Sequence, residues 1–232
     1  YGVGGGITWD STWESEYREV HQKAAVLYRK QARFKLITTG KISQKNLLLE
    51  NQHIERLRKA SRYFAFPFDS ENLKQKIEEE CQACDANQDY RLRISLSKSG
   101  EIEVERRVLT PLSPSFCQAK LCLQEANLQQ AFTYFKTTHR PHLSLEEQEI
   151  IYHNVKGELL ETSIGNLVLK ISGKLYTPPI RLGILPGIYR QLLLETGQVE
   201  ERVLTLKDLA RAEAIYGCNA VRGLYELSVR EN

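Results

Sequence analysis

The sequence contains no methionine among its 232 residues, which is unusual for a chain of this length. It also begins at Tyr1 inside what reads as a longer motif. We therefore expect an upstream region to precede it. No stretch approaches the roughly 18 consecutive apolar residues that a membrane helix needs, and the first residues lack a basic-then-apolar signal pattern. These absences predict a cytoplasmic protein without a membrane partner.

An excess of charge of one sign is also missing. Lys and Arg number 32 against 29 Asp and Glu, for a net charge of +3, so the sequence gives no electrostatic case for nucleic acid binding. No GxGxxG follows a predicted strand and no Walker sequence occurs, which disfavours nucleotide-binding folds. Hydrophobic residues make up 41% of the chain, enough for a real core.

Cysteine is too sparse and too unevenly placed for a disulfide framework. Five cysteines occur, and reduced thiols are expected. Cys81 and Cys84 have CxxC spacing, but no second pair or histidine cluster accompanies them to complete a metal site. We interpret them as helix-surface residues and predict no metal site.

The remaining patterns alternate between helix and strand signals. Helices are predicted after Asp10 or Ser11 as the N-cap, over 51–64, after FPFDS (66–70) and from Pro186 to Gly197. A β-hairpin is predicted over 90–109, because apolar and polar residues alternate on both sides of Lys98, Ser99 and Gly100. Further strands are predicted over 34–39, 118–125, 149–154, 166–171 and 174–179, and residues 205–229 are predicted to form a helix, a strand, a turn and a strand. This mixture predicts an α+β fold with hairpins in two lobes.

The tract from Leu159 to Leu193 contains a candidate carboxylate near one end and, about 20 residues later, a helix start that could bind phosphate. Glu161 and Asn166 flank a short polar turn before an apolar strand, so a carboxylate lies at the edge of a sheet, where a buried carboxylate needs a cationic partner. The segment LPGIY opens a helix whose free backbone N–H groups suit phosphate. Taken alone, Glu161 could equally cap a turn while Pro186 and Gly187 simply begin a helix.

Lys136 lies at the end of a predicted strand and among aromatic residues. Phe132, Tyr134 and Phe135 would desolvate its amine, and the nearby Arg140 would lower the amine pKa further. A neutral amine is what a nucleophile toward a carbonyl group requires. Taken alone, this lysine could equally be a solvated surface residue.

The joint order of four motifs resembles that of a known family. HIERL (53–57), KTTHR (136–140), ETSIGN (161–166) and LPGIYR (185–190) resemble motifs of class IV, branched-chain-type enzymes that depend on pyridoxal 5'-phosphate (PLP). Within that class the likeness is to aminodeoxychorismate lyases, especially those fused behind aminodeoxychorismate synthase component I. RYFAFPFD, TPPI, GILPG, EERVLTLKDL and NAVRG add to the likeness, which covers about residues 34–228.

The resemblance implies a fold and a set of residue roles. The fold would be of type IV, like D-amino acid aminotransferase, with the cofactor between two lobes. Lys136 would attach covalently to PLP and then move protons, and Glu161 would pair with the pyridine nitrogen. The implied cofactor-binding residues are Arg56, Lys136, Glu161, Asn166, Ile188, Tyr189, Asn219 and Ala220. Arg140 and Arg222 are the candidates for binding substrate carboxylate.

The implied reaction is elimination of pyruvate from 4-amino-4-deoxychorismate to give 4-aminobenzoate, a step of folate biosynthesis. Two alternatives remain open: a class IV branched-chain or D-amino acid aminotransferase, and a non-catalytic dimerisation domain with a degenerate site. The sequence departs from many aminotransferases of this class at Pro141, where they often carry tyrosine. This leaves the partner of the cofactor's phenolic oxygen unassigned. The resemblance also implies a homodimer.

Residues 1–28 resemble the C-terminal tail of the chorismate-binding synthase subunit. That likeness places Glu16, Glu19 and Lys23 at positions of the family's chorismate and magnesium site, which we expect to be a structural remnant here. A glutamine amidotransferase subunit is the partner that such an upstream domain implies. We thus expect a remnant tail over 1–30, a small α+β lobe over 31–125 and a larger PLP-binding lobe over 126–232.

Overall fold

The computed structural model describes residues 2–28, 33–124, 131–144 and 146–229, with only the backbone described for 25–28. The chain divides into two units, Tyr1–Arg33 and Phe34–Asn232. The boundaries predicted at 30/31 and 125/126 lie outside the described residues. Within those residues, every helix is too short or too polar to cross a bilayer.

The helices are α1 (Trp13–Tyr28), α2 (Glu50–Phe64), α3 (Ser70–Gln82), α4 (Ala131–Tyr134), α5 (Ile188–Glu195) and α6 (Leu206–Ala210). The strands are β1 (Leu36–Ser43), β2 (Asn46–Leu47), β3 (Tyr90–Leu96), β4 (Ile102–Val108), β5 (Gln118–Leu123), β6 (Ile150–His153), β7 (Leu159–Thr162), β8 (Asn166–Ile171), β9 (Lys174–Thr177), β10 (Glu200–Glu201), β11 (Ala214–Asn219) and β12 (Gly223–Val229). The predicted α+β class and the hairpin of β3 and β4 are confirmed.

The first unit consists of a glycine-rich segment and α1. The helix is capped one residue later than predicted, since Thr12 Oγ1 accepts from the backbone N–H of Ser15 at 3.2 Å. Lys23 pairs with Glu19 at 2.5 Å and donates to the carbonyl of Gly4 at 3.1 Å. Glu16 accepts from the Ser11 hydroxyl at 2.6 Å, so local contacts occupy all three residues of the expected remnant site.

The smaller sheet of the second unit has the strand order β2-β1-β3-β4, all antiparallel. Helices α2 and α3 pack on it through one apolar face each, and Leu57 and Leu73 are fully buried there. Burial of such a side chain contributes about 1.5–3 kcal/mol. Cys81 and Cys84 belong to this core, so their placement on the helix surface was wrong: the apolar face of α3 and the residues just after it turn inward.

The larger sheet has the order β10-β9-β8-β11-β12-β5-β6-β7, and β7 also pairs with β8. These pairings close β8, β11, β12, β5, β6 and β7 into a ring. Because β7 and β8 are joined by the short turn 163–165, Glu161 and Asn166 lie directly opposite each other in the antiparallel register. The ring therefore places two predicted site residues on neighbouring strands.

Lys136 does not end a strand, which corrects the prediction. It follows the short helix α4 and lies in an extended segment beside the start of β1. The carbonyl of Lys136 accepts from Ile37 N–H, and Thr138 N–H donates to the carbonyl of Lys35, both at 2.9 Å. Aromatic and β-branched residues before Lys136 favour strand locally, but Phe132 instead packs against Phe34 from its place in α4. The main chain of Lys136 is thus fixed by β1.

Candidate active site

A cavity of about 650 Å³ lies where the two sheets of the second unit face each other. Nine of the ten predicted site residues line it, although they come from separate parts of the chain. They are Arg56, Lys136, Arg140, Glu161, Asn166, Ile188, Asn219, Ala220 and Arg222. Tyr189 is not among the lining residues, and its hydroxyl lies beside Gly223. Its backbone N–H remains the predicted contact.

Lys136 is buried close to two guanidinium groups, Arg56 and Arg140. Burial lowers the pKa of its amine to about 7, and the guanidinium groups of Arg56 and Arg140 lower it further. Glu161 acts in the opposite direction by favouring the charged amine. A substantial fraction of neutral amine is therefore available near neutral pH, as a nucleophile requires.

Glu161 is buried, with 2% of its surface exposed. Burial raises the pKa of its carboxyl to about 7, although Arg140 and the N–H of Leu185 oppose that rise. Oε2 accepts from Leu185 N–H at 3.3 Å and lies 3.8 Å from Arg140 Nη2. Oε1 has no hydrogen-bond partner among the residues that the structure describes, so it can accept from a group that enters the cavity.

The start of α5 lines the cavity and has no side-chain cap from the described residues. Helices α3 and α6 have side-chain N-caps from Asp69 and Thr205, whereas Gly187 at the start of α5 provides none. The first N–H groups of an α-helix have no partner within the helix, and the helix dipole favours an anion there. Gly187 and Ile188 line the cavity, so this end of the cavity suits phosphate.

Two side chains hold the loop that leads into α5. Arg56 Nη2 donates to the carbonyl of Pro186 at 2.6 Å, and Asn166 Nδ2 donates to the carbonyl of Leu185 at 2.8 Å. A Cβ at residue 187 would overlap Asn166 Oδ1, which explains the need for glycine there. Burial and the nearby Arg140 lower the pKa of Arg56 to about 10, which keeps it cationic at neutral pH.

The turn between β11 and β12 forms another part of the wall. Asn219 Oδ1 accepts from the N–H groups of Val221 and Arg222 at 3.0 and 2.9 Å, which fixes the turn. Arg222 donates to the carbonyl of Thr110. Both Asn219 and Ala220 line the cavity, as predicted, while their contacts to phosphate remain predictions.

Sequence reasoning missed six polar residues that line the cavity: Thr39, Arg91, Arg93, Thr137, Thr138 and Ser163. Arg91 and Arg93 project from one face of β3 into the cavity, and Ser163 lines it from the turn after β7. The alternation in RLR, with Leu92 and Ile94 buried on the opposite face, is a signal that could have placed the two arginines together. No local pattern shows that this face lies opposite Lys136.

The residues of the cavity fit one kind of ligand. Five arginines line it, together with Lys136, and Glu161 is the one carboxylate among the lining residues. The unpartnered Glu161 Oε1 suits a protonated ring nitrogen, the amine of Lys136 suits an aldehyde, and the open start of α5 suits phosphate. A cofactor that combines these three groups on one ring would match the set.

This fold and this site define a fold type IV, aminotransferase-like protein. The chain belongs to the amino-transferase class IV family, whose model matches residues 35–228. The family is PLP-dependent. The fold expected from the motifs is therefore confirmed, and the cofactor of the family has the three groups that the cavity suits.

Similarity to individual proteins is more distant. The chain is 24% identical to an aminodeoxychorismate lyase of Saccharomyces cerevisiae over 259 aligned positions, which cover 82% of this chain and 69% of that protein. It is 37% identical to an uncharacterised Haemophilus influenzae protein over 68 residues, 29% of this chain and only 35% of that protein. A Mesorhizobium loti structure, provisionally assigned as an amino-acid aminotransferase, has 25% identity and a TM-score of 0.74 over 85% of this chain and 100% of that one.

Proposed function

We propose that this chain is a PLP-dependent lyase that releases pyruvate from 4-amino-4-deoxychorismate and forms 4-aminobenzoate. The observation that carries the proposal is that Lys136 and Glu161 line one cavity while Glu161 Oε1 has no hydrogen-bond partner in the described ranges of the chain. The similarity to the S. cerevisiae lyase and the motifs between residues 34 and 228 support lyase chemistry. The family itself leaves the choice between lyase and aminotransferase open.

PLP, when bound, supplies a carbonyl group for covalent attachment and a conjugated ring that accepts electrons. Arg56 and the N–H groups at the start of α5 would hold its phosphate, and Glu161 would hold its ring nitrogen. Asn166 keeps the α5 entry loop in place through the carbonyl of Leu185. Of the atoms in these roles, Glu161 Oε1 is left without a hydrogen-bond partner among the described residues.

Lys136 would be the acid and base of the reaction. With a pKa lowered to about 7, the free amine of Lys136 would accept a proton at neutral pH. It would remove the ring hydrogen beside the substrate nitrogen. The same ammonium can then return a proton to the departing enolpyruvyl group.

Glu161 and Arg140 would set the charge around the cofactor. The Glu161 carboxylate favours a protonated ring nitrogen by direct pairing, and that proton makes the ring a better electron acceptor. Arg140, 3.8 Å from Glu161 Oε2, favours the ionised carboxylate. Arg140 thus has a partner in the site besides the substrate carboxylate predicted for it.

The arginines suit the charge of the proposed substrate. Aminodeoxychorismate carries two carboxylates, and Arg91, Arg93 and Arg222 line the cavity in addition to Arg56 and Arg140. Guanidinium groups pair with carboxylates through two parallel hydrogen bonds. An acidic substrate would therefore displace water from the guanidinium groups that line the cavity and pair with them.

The proposed step balances without another reactant. The C–H bond and the C–O bond to the enolpyruvyl group break, and a proton returns to that group, which becomes pyruvate. Aminobenzoate and pyruvate together contain every atom of the substrate. Formation of the aromatic ring drives the reaction, and no oxidant or reductant is consumed.

An amino-acid aminotransferase is the second candidate, favoured by the likeness to the M. loti structure. Purified protein supplied with PLP should release pyruvate and 4-aminobenzoate from aminodeoxychorismate. It should not transfer the amino group of a substrate to keto acids. Borohydride treatment should fix PLP on Lys136 in either enzyme. Amine transfer without aminobenzoate release would favour the second candidate, and a folded protein that takes up no PLP would exclude both.

The remaining expectations rest on the family resemblance. They are a cytoplasmic homodimer, the three domains with boundaries at 30/31 and 125/126, and a fusion behind a chorismate-binding synthase domain that works with a glutamine amidotransferase subunit. Light scattering of the purified chain tests the dimer. Sequencing of the full gene product tests the fusion.

A further inference from the structure

A buried carboxylate outside the cavity holds the turn between Glu161 and Asn166. Glu149 is fully buried, just before β6. Its Oε1 accepts from the Ser163 hydroxyl and from Ile164 N–H, the latter at 3.3 Å. Its Oε2 accepts from the Tyr225 hydroxyl at 2.8 Å. The proposed chemistry assigns no role to this residue.

The main chain of Glu149 is fixed on both sides. Its N–H donates to the carbonyl of Phe116, and its carbonyl accepts from Lys120 N–H, both at 2.9 Å. The turn is tied to the next residue as well, since Ser163 N–H donates to the carbonyl of Ile150 at 3.0 Å. The carboxylate therefore connects a rigid part of the ring to a turn that lines the cavity.

Tyr225 fixes the other oxygen of this carboxylate. Burial and the neighbouring Glu149 raise the pKa of Tyr225 well above its usual range, so its hydroxyl remains a donor. The ring lies so close to Gly217 that a Cβ there would overlap it, and the Tyr225 hydroxyl lies 3.1 Å from where a Cβ of Gly165 would be. The packing leaves Tyr225 little freedom to move away from Glu149.

We propose that Glu149 is a positioning residue for the cofactor site: through Ser163 and Ile164, and backed by Tyr225, it holds the 163–165 turn so that Glu161 and Asn166 keep their places. This inference rests on the proposed PLP chemistry. Glu161 lies two residues before Ser163, and Asn166 two residues after Ile164. A shift of the 163–165 turn would therefore move both Glu161, the proposed partner of the cofactor ring nitrogen, and Asn166, which supports the loop before α5.

The test compares PLP affinity with global stability in matched variants of the full chain. Glu149→Ala removes both acceptor oxygens. Glu149→Gln keeps an amide oxygen that can accept from Ser163 and Ile164, while its NH2 group can donate to Tyr225. Leu73→Ala truncates the remote core of the smaller sheet, where Leu73 is fully buried.

We expect Glu149→Ala to weaken PLP binding about tenfold or more, the effect of losing hydrogen bonds to a charged group. Glu149→Gln should stay within about threefold of the parent protein, less than the loss of one such bond. Leu73→Ala should lower Tm at least as much as Glu149→Ala does and leave the PLP affinity unchanged. Parent-level affinity in Glu149→Ala, or equal weakening in Leu73→Ala, overturns the inference.

A substitute variant and the parent protein decide the remaining outcomes of this test. If Glu149→Ala does not fold, Tyr225→Phe takes its place, since it removes the donor to Oε2 and retains the ring. An unchanged PLP dissociation constant in that variant then overturns the inference. The parent protein separates the two claims: if it binds no PLP, the proposed function fails, whereas normal binding in both parent and variants contradicts only the role of Glu149.

Discussion

Glu161 Oε2 lies 3.8 Å from Arg140 Nη2, while Oε1 of the same carboxylate has no hydrogen-bond partner within the described part of the chain. One oxygen is thus held by the protein and the other is left for a ligand. Burial alone would favour the neutral acid, and the guanidinium opposes this. The pair provides an anion inside a cavity that is otherwise cationic.

Glu161→Gln should therefore impair catalysis more than cofactor binding. Glutamine keeps the shape but cannot provide the negative charge that keeps the ring nitrogen protonated. We expect kcat for aminobenzoate release to fall about 10²–10³-fold, as when one key electrostatic contact is lost. Glu200→Gln, an exposed change on β10, is the matched control. A Glu161→Gln enzyme with parental kcat would contradict this role.

The attachment of PLP to the cofactor-free protein should depend on pH through Lys136. The pKa of its amine is lowered to about 7, so protonated amine dominates below that value and neutral amine above it. The rate of attachment, followed by absorbance, should rise through pH 7 and level off above about pH 8.

Arg140→Gln tests the electrostatic cause of that pH dependence. Arg140 is one of the cations that lower the Lys136 pKa. Its loss should therefore shift the rise in attachment rate to higher pH. Arg107→Gln, an exposed change on β4, should leave the profile in place. A rise near pH 10 in the parent protein would show that Lys136 is not desolvated.

Gly187→Ala should weaken cofactor binding through Asn166. The new Cβ would overlap Asn166 Oδ1, so the amide must turn and give up its bond to the carbonyl of Leu185. We expect a stability loss of about 1–3 kcal/mol, as for other overpacked sites, and a higher PLP dissociation constant. Urea unfolding and PLP titration measure the two effects. Gly6→Ala, where no atom lies within 4 Å of the added Cβ, should change neither.

Arg93→Gln should affect the substrate and spare the cofactor. Arg93 lines the cavity from β3, on the smaller sheet, and is proposed to meet a substrate carboxylate. Loss of a charge-assisted hydrogen bond costs about 1.5–3 kcal/mol, so kcat/KM for aminodeoxychorismate should fall about 10- to 100-fold. PLP affinity should stay at the parental value. Weaker PLP binding with unchanged kcat/KM would place Arg93 at the cofactor instead.

The local sequence pattern predicted the helices and strands better than it predicted how their residues pack in the fold. The hairpin of β3 and β4 and the helix between Pro186 and Gly197 follow from alternation and from turn residues, which act over a few positions. The strand predicted before Lys136 was wrong, because aromatic residues with high strand propensity pack there as the short helix α4. Cys81 was misplaced because a charged helix still buries one face, and Cys84, just after that helix, is buried in the same core.

The sequence by itself determined which chemical groups the site contains: an amine at Lys136, a carboxylate at Glu161 and a helix that opens after Pro186. Only the tertiary structure decided that Arg56 contacts Pro186, that Arg91 and Arg93 line the same cavity as Lys136, and that Glu149 accepts a hydrogen bond from Ser163. The spacing of apolar residues indicates which face of a helix or strand is buried. The convergence of distant segments depends on strand pairing and packing across the whole chain, and burial, which shifts the pKa of Lys136 and Glu161, is a property of that packing.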